Sequence, residues 1–308
     1  MYYMSMSSQL PAPIRVHTDP KVERGLLAAL GAVLIWGCVP VGTRYFVLQT
    51  DPLTFNVIRF AFSGATALPI FFASKPWTWS ASDQRKALLC ALLAIPGYNV
   101  PVAFAAREIS AGRIGLLIAT EPLFIIAFSA LLQRRGVTTR LMGGALVAFA
   151  GVWLSSISSA AGGSSSSHAV LLVIGGAASW SAYTVLAGGL SKSRGAIAAT
   201  SVVLVVGTVA LLMISLPGLP ANPMPGSGTV IELGLLGIAS SLLGFLLWNY
   251  GASTTSANRI GLLLYLIPVV SLIGGAAFLK EPLGWSLIVG GAITLLGVSV
   301  AERKDAET

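Results

Sequence analysis

Charged side chains are scarce in this sequence. They make up 10% of its 308 residues, while hydrophobic residues make up 55%. Soluble domains carry about 25% charged residues, because they must cover their surface with polar groups. The composition therefore excludes a soluble globular domain and predicts an all-α integral membrane protein, whose partner is the lipid bilayer.

Histidine and cysteine are equally rare, with two of each. His17 and His168 lie outside the apolar runs and form no ligand pattern. Cys38 and Cys90 fall inside apolar runs, without the spacing of a metal site or a disulfide framework. We therefore predict two buried free thiols, no metal and no cofactor.

The sequence also lacks the residues of a membrane enzyme or of an ATP-driven pump. No histidine lies in an apolar run, and no nucleotide-binding GxxxxGK[ST] motif is present. All aspartates lie in loops or termini: Asp19, Asp51, Asp83 and Asp305. We expect no enzymatic activity, and transport would draw its energy from a gradient or from the substrate itself.

What is abundant is apolar sequence in runs of about 20 residues, the length that spans a bilayer. Ten candidate transmembrane helices follow, at residues 24–48, 52–74, 84–104, 111–132, 139–156, 169–190, 196–216, 230–250, 259–279 and 285–300. Residues 1–23 lack an apolar signal-peptide core and are predicted to be a disordered cytoplasmic arm. Residues 157–168 are a predicted periplasmic linker, and residues 301–308 a cytoplasmic tail.

The net charge of +8 does not indicate nucleic-acid binding, because the basic residues lie in short gaps between apolar runs. With a cytoplasmic N-terminus, 14 of the 19 basic residues fall on the inner side and four on the outer side, and Arg59 lies within the second span. This bias predicts a multi-pass protein of the inner membrane with both termini in the cytoplasm.

The two halves of the sequence resemble each other. The string RIGLL occurs at 113–117 and again at 259–263, an offset of 146 residues. At this offset Pro122 aligns with Pro268, and at an offset of 144 Trp36 aligns with Trp180. Biased composition is the alternative explanation. A duplication would give repeats at 24–156 and 169–300, and five spans each, an odd number, would make them inverted.

Several motifs carry a family resemblance. They are Ile35-Trp36-Gly37-Cys38-Val39-Pro40 with Arg44, Arg59, the pairs Pro122-Leu123 and Pro268-Val269, and Lys280-Glu281-Pro282. With the duplication, the chain resembles the drug/metabolite transporter superfamily, in its ten-helix branch with two EamA-type repeats. Members commonly end the fourth and ninth spans with Glu, but the position equivalent to Glu281 is Arg135. We therefore do not expect a symmetric pair of ion pairs at the helix ends.

The aromatic residues in mid-span are similar to those of YddG-type amino-acid exporters. This resemblance implies export of neutral and aromatic amino acids by alternating access. Purine-type metabolites and cationic drugs are the alternative substrates in the same fold, and a channel or a membrane enzyme is a more distant alternative. The sequence leaves monomer and dimer open.

Glu121 is the sharpest candidate, because a charge at the middle of a span is costly unless it is paired, protonated or hydrated. It is predicted to bind a substrate ammonium or a coupling proton. The alternative is a structural ion pair with Arg44 or Arg59. Arg59 itself would either bind a substrate carboxylate or contribute only to helix packing.

Aromatic residues in mid-span predict a substrate cavity, with helix packing as the alternative. The predicted substrate-binding set, Glu121 included, is Trp36, Tyr98, Asn99, Glu121, Trp180, Tyr183 and Tyr265. Trp248, Asn249 and Tyr250 lie nearer a span end and are interpreted as an interfacial belt. Pro40, Pro122 and Pro268 interrupt helical hydrogen bonding and are candidate hinges, with static kinks as the alternative.

Overall fold

The computed structural model describes residues 20–132, 139–157, 166–218, 224–254 and 262–302. Regular structure in these ranges is helical throughout. The α-helices are α1 Pro20–Val47, α2 Pro52–Ser74, α3 Ala81–Ala94, α4 Pro96–Ala105, α5 Ala111–Ile118, α6 Glu121–Leu132, α7 Thr139–Ile157, α8 Ser167–Arg194, α9 Ala196–Ser215, α10 Ser227–Gly237, α11 Gly244–Thr254, α12 Leu266–Leu279 and α13 Trp285–Glu302. Two 3₁₀ turns, Pro76–Thr78 and Leu262–Tyr265, and one π-helical segment, Ile238–Leu243, complete the set.

Seven of the described helical segments are long and apolar enough to cross a membrane. Three shorter apolar helices, Met142–Leu154, Leu266–Leu279 and Trp285–Gly297, lie where the fifth, ninth and tenth spans were predicted. The predicted all-helical membrane protein is thus confirmed, while the count of ten complete spans stays a prediction.

The ends of the chain differ slightly from expectation. Helix α1 begins at Pro20, so the last four residues of the predicted disordered arm are helical. Proline is favoured in a first helical turn, where its missing N–H costs nothing. Residues 1–19, most of the predicted linker (158–165) and residues 303–308 lie outside the described ranges.

Both cysteines are free thiols, as predicted, but only Cys90 is buried. Cys38 is exposed on α1. The prediction of burial was wrong here because an apolar run in a membrane protein has two apolar faces. One face packs inside the bundle and the other meets lipid, so hydrophobicity alone does not tell them apart.

Polar side chains cap the N-termini of several helices. The Asp51 carboxylate accepts hydrogen bonds from the backbone N–H groups of Leu53 (2.8 Å) and Thr54 (3.2 Å) at the start of α2. Ser110 caps α5 in the same way, accepting from the N–H of Arg113 at 3.3 Å. These caps satisfy donors that have no partner inside the helix, which fixes where the spans begin.

Four spans are interrupted, and the interruptions are related by the repeat. The third span breaks at Ile95, where α3 ends and Pro96 starts α4, and the eighth contains the π-helical segment at the equivalent position, 144 residues later. The fourth span breaks between α5 and α6, and the ninth changes from a 3₁₀ turn to α12 146 residues later. The internal duplication therefore extends to the positions at which these spans are interrupted.

Several contacts between helices have a counterpart between the equivalent helices of the other half. Helix α1 packs on α11 and α12, and its equivalent α8 packs on α4 and α6. Helix α2 packs on α10, and its equivalent α9 packs on α3. Two pairs of equivalent helices pack on each other, α2 on α9 and α7 on α13, and the fourth and ninth spans pack through α5 and α12. This pattern is that of a local two-fold axis relating the halves.

The direction of the equivalent helices shows that the repeats are inverted. A Cβ on Gly151 of α7 would meet Gly290 and Thr294 of α13 at 2.5 Å, and a Cβ on Gly297 would meet Ala148 and Gly144. Higher numbers on α7 thus contact lower numbers on α13, so the two helices run antiparallel. Equivalent helices in opposite directions require two halves in opposite orientation, as predicted.

Replacing Gly151 by Ala tests this interface. The added methyl group would collide with the backbone of α13, and we expect a loss of about 1–3 kcal/mol in stability through separation of the helices. Gly143→Ala is the matched control, because a Cβ there meets nothing within 4 Å on the same helix. Thermal unfolding in detergent measures both. Equal melting temperatures of the two variants would contradict the described packing.

Candidate functional site

A cavity of about 450 Å³ lies between the two groups of helices that the repeat relates. One group is α1, α11 and α12, and the other is α4, α6 and α8. The volume lies in the range of small-molecule binding sites, about 300–1,000 Å³. Its aromatic and polar lining comprises Trp36, Arg59, Phe60, Tyr98, Asn99, Glu121, Trp180, Tyr183, Thr184, Ser191, Thr200, Ser240, Ser241, Phe245 and Trp248.

Aromatic rings form a continuous wall across the middle of the cavity. Trp36 from the first half and Trp180 from the second both contact Phe245, with ring centroids 5.7 and 6.1 Å apart. Trp180 also contacts Tyr98 at 5.2 Å and Tyr183 at 5.0 Å. The two equivalent tryptophans therefore belong to one wall, built by both halves of the chain.

Most of the residues predicted for the site line this cavity. Trp36, Tyr98, Asn99, Glu121, Trp180 and Tyr183 are all among its lining residues, together with the predicted hinges Pro40 and Pro268. The side chains of Tyr265 and Pro122 lie outside the described part of the structure, although their backbones belong to the 3₁₀ turn and to α6. The roles predicted for these residues remain predictions.

Trp248 corrects the interpretation as an interfacial belt. Its ring lies 5.4 Å from that of Trp36 and lines the cavity. Ser241, Phe245 and Trp248 are spaced by four and three residues, so they share one helical face that looks inward. This spacing is the sequence feature that could have identified Trp248 as a cavity residue. Tyr250 is exposed, and the side chain of Asn249 lies outside the described set.

Arg59 is a buried cation, with 5% of its surface exposed. Its Nη1 donates to Oδ1 of Asn99 (3.2 Å) and its Nη2 donates to Oγ of Ser240 (3.0 Å). Its Nε has no hydrogen-bond partner, and the ring of Phe60 lies 5.0 Å from the guanidinium carbon. The guanidinium is thus held by neutral groups from the interrupted third and eighth spans.

The break in the third span orients this network. The side-chain amide of Asn99 donates to the carbonyl oxygens of Ala94 (2.9 Å) and Ile95 (3.1 Å), both next to the break. With its N–H groups used in this way, Asn99 presents its oxygen to Arg59. A helix interruption therefore positions the charge.

Glu121 begins α6 and lines the cavity. Its Oε1 is buried without a hydrogen-bond partner in the described structure. The alternative of a structural ion pair with Arg44 or Arg59 is wrong, because Arg44 pairs with Glu281 and Arg59 binds Asn99 and Ser240. Glu121 is therefore an acidic group available to the cavity.

Arg44 and Glu281 lie beyond the lining residues of α1 and α12 and form an ion pair, which we interpret as closing this end of the cavity. Nε of Arg44 lies 3.3 Å from Oε1 of Glu281, and Nη1 of Arg44 donates to the carbonyl oxygen of Ala106 at 2.6 Å. The Glu281 carboxylate also accepts from the backbone N–H of Ala111, at 2.9 and 3.1 Å. These contacts join the ends of α1 and α12 to α4 and α5, across the two helix groups.

At the opposite end, the residue at the position equivalent to Arg44 is different. The repeat aligns Arg44 with Gly188, which has no side chain and lines the cavity. Thr184, Ser191 and Ala196 extend the lining to the loop between α8 and α9. The cavity thus extends toward this loop and is closed where Arg44 meets Glu281.

Two inverted helical repeats around a central cavity define the class of protein: a membrane carrier fold. The sequence profile of the EamA-like transporter family matches residues 23–157 and 167–302, one copy in each half. The chain belongs to the EamA-like transporter family.

Several relatives align over most of this chain. An uncharacterized transporter from Archaeoglobus fulgidus is 28% identical, covering 92% of this chain and 100% of its own. A protein from Streptantibioticus cattleyicolor named as a probable terminal-alkyne amino-acid exporter is 27% identical, covering 73% of this chain and 75% of its own. A solved crystal structure shares the fold with a TM-score of 0.62 at 19% identity, over 91% of this chain and 96% of its own.

The closed end predicts a change in accessibility when Glu281 is altered. In a Cys38→Ala/Cys90→Ala background, Thr184→Cys should react with an impermeant maleimide added from the side of the α8–α9 loop. Glu281→Gln removes the charge that pairs with Arg44. It should move molecules toward the opposite opening and slow this labelling by about two- to tenfold.

Glu108→Gln is the control for that experiment. Glu108 is an exposed acidic residue near the same end, between α4 and α5. It should leave the labelling rate at Thr184→Cys unchanged. Unchanged labelling in Glu281→Gln as well would mean that the ion pair does not hold the closed end.

Proposed function

We propose that this protein is a secondary transporter that exports neutral amino acids, aromatic ones included, across the inner membrane by alternating access. The observation that carries the proposal is the aromatic cavity, which is closed at one end and reaches a loop at the other. A carrier needs such a site between its two halves, reached from one side at a time.

The chemistry of the lining supports amino acids as substrates. The wall of Trp36, Trp180 and Phe245 offers apolar contact to the side chain of a substrate. The lining also carries one acidic residue, Glu121, and one cationic residue, Arg59. One of the relatives is named as a probable terminal-alkyne amino-acid exporter, a name that points to the same class of substrate. On this proposal Tyr98, Asn99 and Tyr183 complete the binding site, with Tyr265, and the prolines at 40, 122 and 268 act as hinges.

We further propose that the open end faces the cytoplasm. The last turn of α8, next to the loop that leads to α9, carries Lys192 and Arg194, and basic residues at such a helix end favour the cytoplasmic side. Both termini would then be cytoplasmic, and the described state would be the one that loads substrate for export.

A second candidate function is the transport of an organic cation. It is favoured by one observation, the unpaired carboxylate of Glu121 in a cavity of aromatic rings. Rings attract cations through their faces, so an acid and several rings together suit a cationic drug or metabolite.

Transport by reconstituted protein tests the proposal. Proteoliposomes loaded with unlabelled amino acid should take up radiolabelled methionine, threonine, phenylalanine or tryptophan by saturable counterflow. Trp180→Ala should lower the uptake of the aromatic substrates by about tenfold or more, because it removes the ring that contacts three other rings of the wall. A pH gradient applied in parallel shows whether protons are coupled.

Trp153→Ala is the matched control, since Trp153 is 68% exposed on α7 and does not line the cavity. It should transport like the wild type. Absence of counterflow for every amino acid by folded protein would refute the amino-acid proposal. Counterflow of an organic cation in the same vesicles would then favour the second candidate.

A further inference from the structure

We propose that Arg59 and Glu121 together form a zwitterion-binding pair. Arg59 would bind the carboxylate and Glu121 the ammonium of one free α-amino acid. This inference rests on the proposed function and deepens it, because it names the chemical groups by which the cavity would recognise its substrate.

Arg59 carries a buried charge that no anionic group balances in the described structure. A guanidinium always carries its charge, and burying it without a carboxylate is costly. In the described structure its partners are the neutral side chains of Asn99 and Ser240, and its Nε has none. The site is therefore short of one negative charge, which a substrate carboxylate would supply in a strong, geometrically defined bond.

Glu121 has the matching imbalance, a carboxylate without a cationic partner among the described residues. Its carboxylate lines the same cavity, and its Oε1 is buried without a partner. No ion pair joins it to Arg59 or to Arg44 among the described residues. The cavity thus holds one guanidinium and one carboxylate, and neither has an ion-pair partner in the part of the chain that the structure describes. A single ligand that carries both an anionic and a cationic group would balance both charges.

Both halves of the chain contribute a hydrogen-bond acceptor for Arg59. Asn99 belongs to α4 in the first half, and Ser240 to the π-helical segment in the second half. Both lie at the repeat-related interruptions. A carboxylate bound by Arg59 would thus contact a group held by both halves, whose relative position changes during alternating access.

The aromatic wall then gives the side chain its place. With the two charged groups of the substrate at Arg59 and Glu121, its side chain would lie against Trp180 and Phe245. Amines without a carboxylate, and carboxylic acids without an amine, would leave one buried charge unbalanced. We therefore expect strong selection for free amino acids with neutral side chains.

The test uses the purified full-length protein and three related probes. Phenylalanine, 2-phenylethylamine and 3-phenylpropionate share a phenyl ring and differ in the charged groups. Binding is measured by ligand-dependent thermal stabilisation and by inhibition of amino-acid counterflow. For the wild type, loss of either charged group should weaken binding by about tenfold or more.

The variants assign each charge. Arg59→Gln should abolish the preference for phenylalanine over 2-phenylethylamine, and Glu121→Gln should abolish the preference for phenylalanine over 3-phenylpropionate. Arg85→Gln and Glu232→Gln are the matched controls, since both residues are exposed, and they should keep the wild-type preferences. If Arg59→Gln does not fold, the probe series on the wild type and on Glu121→Gln still decides the question.

The outcomes separate this inference from the proposed function. If amino acids are carried but the amine or the acid binds as tightly as phenylalanine, the zwitterion pair is refuted and the amino-acid transporter stands. If both preferences exist but survive Arg59→Gln and Glu121→Gln, these two residues are not the pair. If no amino acid binds or is carried, the proposed function fails first, and the inference fails with it.

Discussion

The constraint on which this structure depends is the lack of hydrogen-bond partners for the backbone in a membrane. It makes the described chain helical throughout and permits an interruption only where other groups replace the lost bonds. At the break in the third span, the Asn99 amide bonds to the carbonyl oxygens of Ala94 and Ile95. The same side chain then orients Arg59, so the buried charge owes its position to a gap in helical hydrogen bonding.

Much of this architecture was predictable because it repeats along the chain. The apolar runs, the repeated string and the odd number of spans per half predicted two inverted repeats. The mid-span tryptophans Trp36 and Trp180 predicted an aromatic cavity, since large polar-tipped rings seldom lie deep in a span without a reason. Length and spacing along the chain carry this kind of information.

The rest depends on which face of each helix turns inward, and hydrophobicity hides that in a membrane. Lipid-facing and buried residues are both apolar, so exposed Cys38 and inward-facing Trp248 were both misassigned. The ion pair between Arg44 and Glu281 joins residues 237 positions apart, and no local sequence pattern predicts it. The same holds for Arg59, whose partners come from two other spans.

The closed end has a thermodynamic consequence. If the two halves of an inverted repeat were identical, the structure and its exchanged counterpart would have equal free energy, and both openings would be equally populated. Only positions where the halves differ can tilt that balance, and about 1.4 kcal/mol shifts it tenfold. Arg44 and its equivalent Gly188 form such a position, since one makes an ion pair and the other has no side chain. On the proposed alternating-access mechanism, the direction that this carrier faces at rest would therefore be encoded where its duplicated halves have diverged.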